Sequence, residues 1–201
     1  MLRVGLTGGL ASGKSFVGHA LADLGCHLIE ADELGHQVLL PGAEAYDAVV
    51  AEFGREILDA DGFIDRDKLG KLVFNQPDRL NKLSSLVHPP VVARQAKMVA
   101  EIERTDPNGI VVVAAAILVE TGGYKRYERL IVVSCTLEQQ IERAMKRSSL
   151  TREEVLARLS RQLPLEEKVR VADYVIDTSD TKERTLEQVR AVYCSLRSLT
   201  V

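Results

Sequence analysis

Short apolar runs without polar alternation punctuate the chain at residues 2–6, 27–30, 110–115, 130–134 and 174–177. A run such as Ile110-Val111-Val112-Val113 suits a parallel strand covered on both faces, because a half-exposed strand would alternate apolar with polar residues. Between the first two runs Val17, Ala20, Leu21 and Leu24 recur at helical spacing, and Gly25 stands where a glycine ends a helix. Strand, helix and strand are complete by residue 30, which predicts an α/β fold with a mostly parallel five-stranded sheet.

Residues 31–109 are far more than a crossover needs and predict a helical subdomain. Ala45, Val49 and Phe53 share one side of a helix over 43–53, and Asp65 is expected to cap a helix carrying Leu69, Leu72 and Val73. A third helix begins near Asp78, is interrupted at His88-Pro89-Pro90 and resumes over 91–103; residues 54–62 read as a turn-rich link. Further on, Thr136 with Gln139, Thr151 with Glu154 and Thr185 with Gln188 each match a capping box, and Leu163-Pro164 separates two helices.

The 201 residues suffice for one domain with insertions, and with five Tyr, four Phe and no Trp the core must be aliphatic. A balance of 26 Lys+Arg against 29 Asp+Glu argues against a nucleic-acid surface or a polybasic membrane surface. Basic residues nevertheless gather over 143–170. Cys26, Cys135 and Cys194 are odd in number and far apart, as expected of a reducing cytoplasm, and the four histidines lack zinc-ligand spacing. The longest apolar stretch, 110–119, is too short to span a bilayer and reads as a buried strand.

Chemistry enters at Gly8-Gly9-Leu10-Ala11-Ser12-Gly13-Lys14-Ser15, which matches G-x-x-x-x-G-K-[ST] between a predicted strand and a predicted helix. Here glycines let successive N–H groups face one anion, and the helix N-terminus adds partial positive charge. Lys14 is expected to reach the β- and γ-phosphates of a nucleoside triphosphate, and the Ser15 hydroxyl to ligate Mg²⁺. The fold class is therefore that of a three-layer P-loop NTPase with a helical insertion and a lid.

A GTPase needs Asn-Lys-x-Asp, whereas Asn81-Lys82-Leu83-Ser84 lacks the aspartate; motor and transport ATPases place Asp after the third strand, where this chain runs Ala116-Ile117-Leu118-Val119-Glu120. A small-molecule kinase instead needs a carboxylate near the acceptor hydroxyl, an acceptor-binding insertion and arginines around the transferring phosphoryl group. Asp32, just beyond the second strand, is expected to orient and deprotonate the acceptor, the alternative being a helix cap. Glu30 stays ambiguous between the two. Arg143 and Arg147, one turn apart, are expected to meet ATP phosphates, and Arg158 and Gln162 lie one turn apart across a lid helix that would exclude water. For the other basic residues a solvated surface is the simpler reading, and His88 by itself reads as a cap or a packed corner.

The ordered series resembles the dephospho-coenzyme A kinase family nearly end to end. It begins with Gly5-Leu6-Thr7-Gly8-Gly9 and the P-loop, and the family's Asp-Ala-Asp appears as Glu30-Ala31-Asp32. Phe53-Gly54, Asp61-Gly62, Arg66 with Leu69, Val73-Phe74 and His88-Pro89 follow, then Gln140, Arg143, Arg147, Arg158, Gln162, Lys168 and Ala172-Asp173. The resemblance implies transfer of the ATP γ-phosphate to the ribose 3′-hydroxyl of dephospho-coenzyme A, with Mg²⁺, by a chain for which a monomer suffices. It implies a nucleotide-binding core of residues 1–31, 105–147 and 172–201, an acceptor-binding domain of 32–104 and a lid of 148–171. ATP is expected on Gly8, Gly9, Leu10, Ala11, Ser12, Gly13, Lys14, Ser15 and Phe16 with Arg143 and Arg147, and the acceptor on Asp32, Arg66, His88, Arg158 and Gln162. Catalysis falls to Asp32, Lys14 and Arg143, and metal binding to Ser15.

Departures from the family pattern are Ala11 for Gly, Phe16 for Thr, Glu30 for Asp, Ala116 for Pro and Thr178 for Asn. Ala11 is expected to be tolerated through a negative φ. Two other readings remain at this stage: a P-loop kinase for another nucleoside, nucleotide or small alcohol, and a regulatory protein that binds ATP without transferring phosphate.

Overall fold

The computed structural model describes residues 1–74, 76–148 and 150–200; Asn75, Ser149 within the expected lid, Val201 and the side chain of Phe74, which the sequence pairs with Val73, lie outside the described residues. The strands are β1 (Leu2–Gly8), β2 (His27–Glu30), β3 (Ile110–Ala114), β4 (Arg129–Ser134) and β5 (Tyr174–Asp177). They form one wholly parallel sheet in the order β2-β3-β1-β4-β5. The helices are α1 (Lys14–Asp23), α2 (Ala31–Gln37), α3 (Tyr46–Phe53), α4 (Arg66–Phe74), α5 (Pro77–Thr105), α6 (Leu137–Ser148), α7 (Arg152–Leu159), α8 (Leu165–Arg170) and α9 (Lys182–Arg197).

Two compact units result, residues 1–30 with 101–201, and residues 31–100. The first contains the sheet. Val4 and Leu6 of β1, Val112 of β3, Ile131 and Val133 of β4 and Ile176 of β5 share one face, on which α1 lays Val17 and Leu21 and α9 lays Val189 and Leu196, all at 1% exposure or less. Each such side chain contributes about 1.5–3 kcal/mol relative to exposure. The opposite sheet face, with Val111, Val113 and Val132, is equally buried, which is why these strands show no polar alternation. The apolar stretch 110–119 is a strand only to Ala114.

The second unit closes over its own core of Val38, Ala45, Val49, Phe53, Ile57, Leu69 and Val73. Asp65 caps α4 as expected, its Oδ1 accepting the N–H groups of Asp67 at 2.9 Å and Lys68 at 3.1 Å. The expected interruption at Pro89-Pro90 does not occur: α5 runs through both prolines. Two ladder donors are lost there, but Leu83, Leu86, Val87 and Val91 on either side pack against the core of this unit and carry the helix across. Helix α5 continues to Thr105, and its last turn groups with the first unit, the second unit ending at residue 100. Among the described residues, no helix is long and apolar enough to cross a membrane.

Two of the three expected capping boxes form, at Thr136/Gln139 and Thr151/Glu154. The third is displaced. Thr181 caps α9 by accepting from the Arg184 N–H, while Thr185 is a buried residue inside the helix whose hydroxyl donates to the Thr181 carbonyl.

Candidate active site

Residues 9–13 link the end of β1 to the start of α1. Gly8 has no room for a side chain, since a Cβ there would lie 2.8 Å from the Val133 carbonyl oxygen, and Gly13 adopts φ 91° with the Thr178 methyl close by. The turn is closed by Ser12 N–H donating to Gly9 O at 3.1 Å, and the helix ladder opens with Val17 N–H on Gly13 O at 3.1 Å. Among the described residues, the N-cap Gly13 makes no side-chain cap bond and no acidic residue stands in the first turn of α1. Its leading N–H groups and partial positive charge are therefore available to an anion, with Lys14 and the exposed Ser15 hydroxyl beside them.

Ala11 overturns the expectation of a negative φ: it sits at φ 55°, in the left-handed region. Its methyl packs with Leu10 against Ile141, Ala144 and Val155, a small cluster joining the loop to α6 and α7. That packing holds a conformation that costs a non-glycine residue about 1 kcal/mol.

Side chains brought from distant parts of the first unit clamp the loop. Buried Gln140 donates from Nε2 to Leu10 O at 2.9 Å, and the Leu10 N–H donates to Gln162 Oε1 at 2.9 Å. Arg143 donates to Thr178 Oγ1 at 2.9 Å and to Thr178 O at 2.7 Å, while the same hydroxyl donates to Ser12 O at 2.7 Å. Thr178 thus relays the position of Arg143 to the loop. Beside the loop, a cavity of about 800 Å³ opens at Gly9, lined by Cys135, Gln140, Gln162, Pro164 and Val169 among others. Burial pushes the Cys135 thiol up against the opposing effect of the Arg143 charge, so it stays protonated near neutral pH. A second hollow of about 300 Å³ is bordered by Asp177, Asp180 and Glu187 with Arg184, carboxylates that disfavour a polyphosphate.

A family model described as dephospho-CoA kinase matches residues 2–183. The chain belongs to the dephospho-CoA kinase family. It is 42% identical over 189 residues to a dephospho-CoA kinase of Carboxydothermus hydrogenoformans, covering 94% of this chain and 91% of that protein. It is also 40% identical over 193 residues to one from Aquifex aeolicus, covering 96% of each. The solved structure of a dephospho-CoA kinase from Campylobacter jejuni superposes with a TM-score of 0.72 at 26% identity, covering 99% of this chain and 98% of the other.

Within this dephospho-CoA kinase family chain, the first unit brings the P-loop together with Arg143 and Gln162. Arg147 and Arg158 are exposed. Helix α7 ends at Leu159, so Gln162 sits in the turn beyond it, not one helical turn from Arg158 as the spacing predicts. Phe16 carries the Lys182 ammonium over its ring at 5.9 Å. In the second unit Asp32 is exposed in the first turn of α2, Arg66 is the exposed first residue of α4, and His88 is exposed within α5. Pattern reading missed the structural weight of Gln140 and Thr178; Gln140 was visible only as a member of the family series and Thr178 only as a departure.

The donor set also bears on a metal. Among the described residues, no group of three or more His, Cys, Asp or Glu could hold one. Mg²⁺ keeps most of its waters and takes phosphate oxygens in preference to a protein cage. A single exposed hydroxyl at Ser15, next to the anion site, fits that habit.

Proposed function

We propose that this chain transfers the γ-phosphoryl group of ATP to the ribose 3′-hydroxyl of dephospho-CoA, giving CoA and ADP. The supporting observation is a complete phosphate loop, with Lys14 and Ser15 opening an uncapped helix, in a chain that matches the family over residues 2–183. The N–H groups of the loop and Lys14 hold the β- and γ-phosphates, with Arg143 adding charge beside the loop. Ser15 would hold Mg²⁺, which when bound neutralises phosphate charge. Asp32 takes the proton of the 3′-hydroxyl as its oxygen forms a bond to the γ-phosphorus, and the bond to the β–γ bridging oxygen breaks to release ADP. Arg66 and His88 bind the acceptor within the 31–100 unit, and α7 and α8 act as the lid, with Arg158 and Gln162 turned to the bound substrates. A cytoplasmic setting is supported by two buried, unlinked thiols, Cys26 and Cys135, and the scheme needs one copy of the chain.

Incubation with ATP, Mg²⁺ and dephospho-CoA, following ADP and CoA together, is expected to give both products in equal amounts. ADP formed only with another acceptor would transfer the reading to a different small-molecule kinase, and ATP binding without ADP release would make the chain a nucleotide-binding protein only.

A further inference from the structure

A buried ion pair beside the phosphate loop has no part in the reaction outlined above. Lys168 of α8 is fully buried, and its Nζ lies 2.6 Å from Glu120 Oε1. The same ammonium donates to the carbonyl oxygens of Ala116 at 2.9 Å and Gly8 at 3.3 Å. An ammonium carries three hydrogens, so all of its donors are matched. Glu120 Oε1 also accepts the Leu163 N–H at 3.2 Å, in the connection between α7 and α8, and the Thr7 hydroxyl donates to Ala116 O at 3.2 Å. The other carboxylate oxygen, Glu120 Oε2, is buried and has no hydrogen-bond partner among the described residues.

Stability alone explains this arrangement poorly. Desolvating two charges costs about as much as their attraction returns, and an apolar pair of similar volume often serves a fold as well. An unmatched carboxylate oxygen adds to that cost. What the pair does contribute is a bond to the oxygen of one peptide plane, at Gly8, where β1 ends in register with Val133 of β4. Gly8 is the first residue of the phosphate loop and Gly9 the second, and two adjacent glycines resist rotation of the peptide between them weakly. In a trans peptide the carbonyl and the following N–H point opposite ways. With the Gly8 oxygen held inward by a buried ammonium, the Gly9 N–H is aimed the other way, and the oxygen is kept from turning toward bound phosphate.

We infer that Lys168, charge-balanced by Glu120, is a positioning residue for the phosphate loop, fixing the Gly8-Gly9 peptide and thereby setting ATP affinity. The inference rests on the kinase reading. Its test compares the full-length wild type with K168M, E120Q, K168R and the double variant E120Q/K168M by thermal melting, by calorimetric titration with Mg-ATP in the absence of acceptor, and by initial rates. K168M strands a buried carboxylate and is expected to lower Tm and to weaken ATP binding by about tenfold to a hundredfold. K168R restores a donor and is expected to recover part of the affinity. The double variant removes both charges and decides the matter: Tm is expected to return close to the wild-type value while the ATP Kd stays about tenfold raised, the loss of a hydrogen bond to a charged group. Recovery of ATP affinity together with Tm in that variant overturns the inference, as does K168R binding ATP no better than K168M at a restored Tm. A wild type that binds ATP yet forms no CoA would overturn the kinase reading instead, leaving the binding comparison standing.

Discussion

The two units hold their polar side chains in opposite ways. In the first, Gln140, Thr178 and Lys168 are buried and each is bonded to the main chain of the phosphate loop, with Arg143 fastened to Thr178. In the second, Asp32, Arg66 and His88 stand exposed on helices, and among the described residues every buried one is apolar. A triphosphate presents the same charges at every turnover, so donors built into the fold meet it without further ordering. Exposed helix positions can change without disturbing the core beneath them. Substitutions in the first unit should therefore mix ligand affinity with stability, and those in the second should separate them.

The largest effect is expected from Asp32→Asn in the second unit. Loss of the base should lower kcat by about 10²- to 10⁴-fold, with ATP affinity and Tm held at wild-type values because the side chain is exposed. Steady-state rates, ATP titration and melting of the same sample check all three. Undiminished kcat would remove Asp32 from the chemistry.

A hydroxyl in the first unit should behave differently. Thr178→Val keeps the shape but deletes the group that accepts from Arg143 and donates to Ser12 O, so KM for ATP should rise by about tenfold, with a loss of about 1–2 kcal/mol of stability. Thr178→Ser should restore both. A change in Tm with KM unmoved would make the relay purely structural. Smaller still, Arg66→Ala should raise KM for the acceptor by about threefold to tenfold and leave unfolding within about 0.5 kcal/mol of wild type. Its exposed place at the start of α4 predicts that separation, and a stability loss as large as that of Thr178→Val would erase the contrast between the units.

The same contrast describes what could be read in the chain before its structure. The phosphate loop is eight contiguous residues whose work is done by main-chain N–H groups, so spacing alone exposes it. The strands were legible because both faces of the sheet are covered. The path of α5 through Pro89 and Pro90 was not, because local backbone rules are outweighed by Leu83, Leu86, Val87 and Val91 packing on the core. The cap of α9 was misplaced because Thr181 lacks the Glu or Gln that marks a capping box, whereas Thr185 precedes Gln188 by the right interval. Lys168 stands in a basic stretch and reads as surface; only its distant partner Glu120 reveals it as buried. Side chains that act through contacts remote in sequence leave no periodic trace.

Ala11 offers the finest test of how far the first unit ties its loop to its core. Replacing it with glycine relieves a left-handed φ worth about 1 kcal/mol. Against this, the change removes a methyl packed near Ile141, Ala144 and Val155, worth about 0.8 kcal/mol, and adds unfolded-state freedom worth about 0.5–1 kcal/mol. The opposing effects leave an expected net loss of about 0.5 kcal/mol, readable as a small fall in Tm, with ATP affinity within about twofold of wild type. A rise in Tm would show that the backbone strain is not balanced by packing. A clear loss of ATP affinity would show that the methyl, by joining the loop to α6 and α7, belongs with Gln140 and Thr178 among the groups that hold the loop in shape.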